Sequence, residues 1–134
     1  MKIRSLFLVS SLALAAAAAR AQDTPKVIPV VFAIGEVGWQ DQKLANLIRE
    51  TLSRTPSFNL MKVVTPDALV ITIPGGFGRN GHEESAHYDF TAVFSRKGDK
   101  IGESLEGCSS TKLADCADQL GADAQSAAGT VKPN

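Results

Sequence analysis

Residues 27–34 read VIPVVFAI, a nearly continuous apolar run that is rich in β-branched side chains. Such a run is typical of a strand covered on both faces, because a half-exposed strand alternates apolar with polar residues. Gly35 ends this strand, and Asp41 is placed to cap a following helix, which Thr55-Pro56 ends. The stretch therefore predicts a strand, a crossover helix and a second strand parallel to the first.

The rest of the chain continues the pattern with shorter elements. Strands are predicted at residues 58–64, 69–73, 87–95 and 101–106, and a second helix is predicted at 113–124. The clearest is 87–95, where apolar and polar side chains alternate strictly, so one face of this strand should be wet. Thr65-Pro66-Asp67 is a turn by composition, and hairpins are expected to make the later strands antiparallel.

These elements predict an α+β fold in one domain. We expect a two-layer sandwich, with a mixed, mostly antiparallel sheet of about five strands in the order β-α-β-β-β-β-α and both helices on one face. The other face, lined partly by Asp89, Thr91 and Ser95, is expected to be solvated or available to a partner. The predicted domain covers 22–128, and 129–134 form a flexible tail.

The first 21 residues have the pattern of an export signal. Lys2 and Arg4 give a basic start, an apolar run follows, and Ala19-Arg20-Ala21 provides small residues where a signal peptidase cuts. The apolar run is shorter than the roughly 20 residues of a membrane-spanning helix. We therefore predict cleavage after Ala21 and a periplasmic or secreted protein without a membrane anchor.

Removal of the signal changes the charge balance. Three of the 14 basic residues lie in the signal and none of the 14 acidic residues does, so residues 22–134 carry a formal charge of about −3. Nucleic-acid surfaces and polybasic membrane patches depend on clustered Lys and Arg. The composition therefore argues against nucleic acid as a partner.

Cys108 and Cys116 are the only cysteines. In an oxidising compartment an even pair at short spacing predicts a disulfide. A catalytic dithiol needs C-x-x-C spacing, which C-x7-C does not provide. Because Cys116 falls on the apolar stripe of the second helix, the bridge is expected to fasten that helix to the end of the last strand.

Gly75 to Ala86 are predicted to form a long loop. An alternative function for this region, residues 75–87, is a metal or small-ligand site formed by His82, Glu83, Glu84 and His87. The histidines are at i and i+5, not the i and i+4 of a helical zinc site, so a polar hairpin tip is the preferred interpretation. The G-x-G-x-x-G at 76–81 leads into a strand and not a helix, so no nucleotide cofactor is expected.

No catalytic motif is present: the sequence has no G-x-S-x-G elbow, and Glu103 and Glu106 are expected to be solvated. Trp39, the only tryptophan, is expected to pack over the helix start, with a contact to a partner as the alternative. Together with Asp89 and Thr91 it is a candidate partner-contact residue.

The stretches PVVFAI (29–34) and LANLIRETLSRTPSFNL (44–60) resemble the opening β-α-β unit of envelope proteins related to the N-terminal domain of TolB and to CsgG-type periplasmic domains. The resemblance implies a role in envelope assembly or protein interaction. The expected function is a non-enzymatic accessory module that binds another envelope protein. The alternative is a small-ligand or metal-binding protein that uses the 75–87 region.

Overall fold

The computed structural model describes residues 27–35, 37–39, 41–81 and 86–130. The predicted signal, the metal candidates His82, Glu83 and Glu84, and residues 131–134 lie outside this part of the chain. The elements are β1 (Ile28–Ala33), α1 (Gln42–Arg54), β2 (Phe58–Met61), β3 (Leu69–Thr72), β4 (Gly78–Asn80), β5 (His87–Arg96), β6 (Asp99–Ser109) and α2 (Leu113–Thr130).

The six strands form one mixed sheet: five of them have the spatial order β2-β1-β3-β5-β6, and β4 pairs with β5. β1 is parallel to β2 and β3, and β5 is antiparallel to β3, β4 and β6. β4 pairs with the first residues of β5 and β3 with its last ones, so these two short strands share one edge of β5. The predicted α+β class and mixed sheet are confirmed.

Both helices cover the same face of the sheet, as expected. α1 packs against α2, and the core between them and the sheet is continuous. Large side chains without solvent contact come from both layers, among them Val30, Leu69, Ile71, Phe94, Leu44, Ile48, Leu52 and Leu120. Each such side chain contributes roughly 1.5–3 kcal/mol through burial, which makes this layer the main source of stability.

The position of β3 differs from the expectation. Ala68 N donates to Thr65 O at 3.0 Å, so the predicted turn forms, yet β3 does not make a hairpin with β2. β3 instead lies parallel to β1 on its other side. The physical reason is burial, because a central position between β1 and β5 covers Leu69 and Ile71, whereas pairing with β2 would leave β3 at an edge.

Two elements near the hairpin tip also differ from the prediction. The expected loop 75–86 contains β4, whose backbone comes so close to β5 that a Cβ on Gly78 would lie 2.9 Å from Asp89 O. β6 has 11 residues, more than the predicted 101–106. Both differences have one cause, the length of β5. Residues without an apolar pattern of their own form strands where they pair with its backbone.

The predicted pairing of Cys108 with Cys116 is confirmed. The two residues form a disulfide with their Cα atoms 5.7 Å apart. The bridge joins the end of β6 to the first turn of α2, and both cysteines are buried. In the described part of the chain no helix is long and apolar enough to cross a membrane.

Candidate interaction surfaces

The face of the sheet opposite the helices, here called the open face, is where the sequence placed its candidate partner contacts. Side chains alternate between the two faces along a strand, so the neighbours of the core residues point away from the helices. Cross-strand pairing groups them in rows. The rows contain Met61, Val31, Val70 and Ser95; Ala33, Thr72, Val93 and Glu103; Thr91 and Leu105; and Asp89 and Gly107.

One part of the open face is covered by the chain itself. Residues 62–68 lead from the carboxyl end of β2 to the amino end of β3, and β1 lies between these two strands. The segment therefore crosses β1, and it does so over the open face because the helices occupy the other. Val31 accordingly is only 5 % exposed although it points away from the helices.

The part formed by β5 and β6 remains uncovered. Leu105 pairs with Thr91 across these strands, and its side chain is 85 % exposed. Asp89 is exposed and Thr91 half-buried on the same face, which is where the alternation in 87–95 predicts them. Sequence reasoning missed Leu105, although its polar neighbours Ser104 and Glu106 already indicate an alternating strand.

A polar pair lies at the start of β5, at the end of the open face away from the β5–β6 turn. His87 Nε2 is 3.2 Å from Asp89 Oδ1, and both side chains are about half exposed. Gly107 of β6 lies beside them: a Cβ there would be 3.2 Å from Asp89 Oδ1 and 3.3 Å from His87 Nε2. Because Gly107 has no side chain, the His87 and Asp89 side chains have space to approach each other.

Of the predicted metal ligands, only His87 lies in the described part of the chain. Within that part, no group of three or more His, Cys, Asp or Glu side chains is arranged to hold a metal ion. His87 and Asp89 provide two polar groups on adjacent positions of one face.

Trp39 does not pack over the helix start, so that expectation is wrong. Its side chain is 79 % exposed in the turn before α1. Asp41 occupies the N-cap position but makes no side-chain capping hydrogen bond, and the turn is held by Asp41 N donating to Gly38 O at 3.0 Å. Trp39 is thus available at the surface, which leaves its alternative role as a contact residue.

Glu106 was expected to be solvated, and that expectation is wrong: its carboxyl group is buried on the helix side of β6. Glu106 is 5 % exposed, its Oε1 accepts a hydrogen bond from Ser104 Oγ at 2.8 Å, and it shares a hydrogen bond with Asp123 of α2. Burial, followed by the hydrogen bond and negative charge of Asp123, raises the pKa of Glu106 from 4.5 to about 7, although the Ser104 hydroxyl acts in the opposite direction.

The sequence did contain a signal for this burial. Cys108 must face the helices to reach Cys116, and Glu106 is two residues earlier in the same strand, hence on the same face. A cavity of about 250 Å³ lies next to it between β6 and α2, and Ser104, Asp123 and Ser126 are among its lining residues. The interaction of Glu106 with Asp123 thus joins β6 to α2 at a second point, in addition to the disulfide.

Comparison with known proteins gives a likeness of fold. No protein-family model matches the sequence, and no curated protein matches it. Among solved structures, TolB from Acinetobacter baumannii is similar with a TM-score of 0.52 and 8 % identity, over 81 % of this chain and 30 % of TolB. A dodecameric PelC variant from Paraburkholderia phytofirmans is similar with a TM-score of 0.52 and 8 % identity, over 76 % of this chain and 88 % of PelC.

At this identity the likeness concerns the fold alone. The chain spans less than a third of TolB and most of PelC. The TolB part of the resemblance found in the sequence is therefore supported at the level of fold. The CsgG part stays a prediction.

Proposed function

We propose that this chain is an exported, non-enzymatic accessory protein of the bacterial envelope that binds another envelope protein through the β5–β6 part of its open face. The observation that carries the proposal is Leu105, a large apolar side chain on the edge strand β6 that is 85 % exposed on the uncovered part of the open face. A partner that covered this leucine would remove its apolar surface from water, which favours binding.

The surroundings of Leu105 suit a protein partner. Thr91 lies opposite on β5, and the His87–Asp89 pair lies farther along the same strand. An apolar centre bordered by polar groups is the usual composition of a protein interface. The candidate contacts Asp89 and Thr91 are parts of this surface.

The envelope location is supported by three independent observations. The first 21 residues have the pattern of an export signal, the cysteine pair forms a disulfide, and the fold is similar to TolB and PelC. Disulfides persist in oxidising compartments such as the periplasm. An exported binding module accounts for all three.

The proposal is tested by crosslinking in living cells. A photoreactive amino acid at position 91 should capture a second, exported protein, whereas the same group at Asp118, exposed on α2, should not. Leu105→Lys should abolish the capture, and Val27→Lys, the same change at an exposed valine before β1, should leave it intact. A chain that stays monomeric with no captured protein, or that captures only copies of itself, would contradict the proposal.

A second candidate function is metal or small-ligand binding at the 75–87 region, by His87 together with His82, Glu83 and Glu84. It is favoured by the exposed His87 side chain beside the Asp89 carboxylate. Titration of the purified, exported protein with zinc should then give saturable heat in the micromolar range, and His87→Ala should remove it. Heat that does not saturate would reject this candidate.

A further inference from the structure

A groove separate from the open-face contact lies between α1 and the carboxyl ends of β1 and β2. Its volume is about 320 Å³, at the lower end of the range of roughly 300–1,000 Å³ for ligand pockets. Apolar side chains and two cations line it, namely Val31, Phe32, Leu60 and Met61 with Arg49 and Lys62. The groove thus combines an apolar floor with positive charge.

Arg49 is held by one contact in the groove and one on α1. Its guanidinium carbon lies 5.6 Å from the centre of the Phe32 ring, and Nη1 donates to Asn46 Oδ1 at 3.3 Å. Attraction to the face of an aromatic ring and this hydrogen bond restrict the position of the guanidinium. Because this group has five N–H donors, most of its donors remain for a ligand.

The two cations have no acidic partner in the described part of the chain. The ion pairs found there join other residues: Glu50 with Arg54, His87 with Asp89, and Lys100 with Glu103. In a domain with a formal charge of about −3, two unpaired cations beside one apolar groove are complementary to an anion.

Further exposed apolar side chains are close to the groove residues in the sequence. Val63 and Val64 directly follow Lys62 and are both exposed. Trp39 lies in the connection between β1 and α1, which leaves β1 at the end of the sheet where the parallel strand β2 also ends. These three side chains add exposed apolar surface at the end of the sheet where β1 and β2 end.

We infer that this groove binds an acidic, apolar peptide segment of a partner protein, with a carboxylate between Arg49 and Lys62 and an apolar side chain against Leu60 and Met61. A carboxylate matches the guanidinium fork, and a charged hydrogen bond contributes more than a neutral one. The inference does not depend on binding at the β5–β6 part of the open face, because no residue of β5 or β6 lines the groove.

The test uses a defined pair of probes, the peptides acetyl-Glu-Leu-Phe-Asp-amide and acetyl-Gln-Leu-Phe-Asn-amide, with the isotope-labelled mature protein. The acidic peptide should shift the backbone NMR signals of Phe32, Leu60 and Met61, and it should bind about tenfold more tightly than the neutral peptide. Decanoate serves as an apolar anion that is not a peptide.

Two double variants that each remove two positive charges distinguish binding at the groove from a general effect of the protein's net charge. Arg49→Gln with Lys62→Gln should weaken binding of the acidic peptide about tenfold or more. Lys97→Gln with Lys112→Gln, both exposed and outside the groove, should leave it unchanged. NMR spectra of the free variants verify that both are folded.

Several results would overturn the inference. They are the absence of saturable shifts with millimolar acidic peptide, equal binding of the two peptides, equal loss in the two double variants, and binding of decanoate without binding of the peptide. Each leaves the open-face proposal intact, since that proposal is tested by capture at position 91.

Discussion

At the scale of single residues, Glu106 makes the stability of the fold depend on pH. Its pKa is raised from 4.5 to about 7 by burial and by Asp123, so the native state favours the protonated form. Its contribution is full below the unfolded-state pKa of 4.5 and is lost as the pH rises through about 7. The difference between the two pKa values corresponds to roughly 3 kcal/mol.

Glu106→Gln is therefore expected to remove this pH dependence. The amide stays neutral and keeps the side-chain shape, so the variant should be more stable than the parent at pH 8, by up to roughly 3 kcal/mol. Urea unfolding at pH 5 and pH 8, with the disulfide intact, measures the effect. Glu103→Gln, an exposed neighbour paired with Lys100, should keep the parental pH slope. Equal slopes in all three proteins would contradict the assignment.

At the scale of elements, the contact between the two helices depends on Gly121. A Cβ at this position of α2 would lie 3.1 Å from Thr51 Cγ2 of α1, closer than most real Cβ contacts. Gly121→Leu adds three more carbons and should destabilise the domain by roughly 1–3 kcal/mol through overpacking. Gly129→Ala is the control, since nothing lies within 4 Å of its Cβ. The helix propensity of Ala should make it neutral or stabilising in the same thermal melt.

The disulfide is the second device that fixes α2. It closes a short loop between the end of β6 and the start of the helix, and the chain-entropy model gives about 2.5 kcal/mol for a loop of this size. Replacement of Cys108 and Cys116 by Ala should lower the free energy of unfolding by about that amount, measured with urea at pH 5. Addition of a reductant should lower that of the parent similarly and leave the double variant unchanged. A double variant as stable as the oxidised parent would contradict this role.

The elements that the sequence predicted well are those with a local pattern. The first strand and α1 follow from the apolar run 27–34 and from helical spacing, and β5 follows from strict alternation. β4 has no such pattern, because Gly78 to Asn80 form a strand only where β5 offers a partner. The place of β3 beside β1 likewise depends on which neighbour buries it best, which is a property of the whole sheet.

The candidate surfaces show the same division. Asp89 and Thr91 were predicted on the open face because they belong to an alternating strand. Arg49 and Lys62, by contrast, come from different elements, and only the crossover of the β1-α1-β2 unit brings them to one groove.

At the scale of the whole molecule, export and oxidation are expected to go together. The predicted signal directs the chain to a compartment where the Cys108–Cys116 bridge forms, and the bridge contributes a sizeable part of the roughly 5–15 kcal/mol typical of a domain. When the full chain is expressed in a bacterial host, the protein recovered from the periplasm should have the mass of a chain that begins at Gln22. It should have no thiol that reacts under denaturing conditions. A chain that begins with Met followed by Gln22 should stay in the cytoplasm with two reactive thiols. A periplasmic protein with the uncleaved mass would contradict the predicted cleavage, and two reactive thiols in the exported protein would contradict the coupling of export to the bridge.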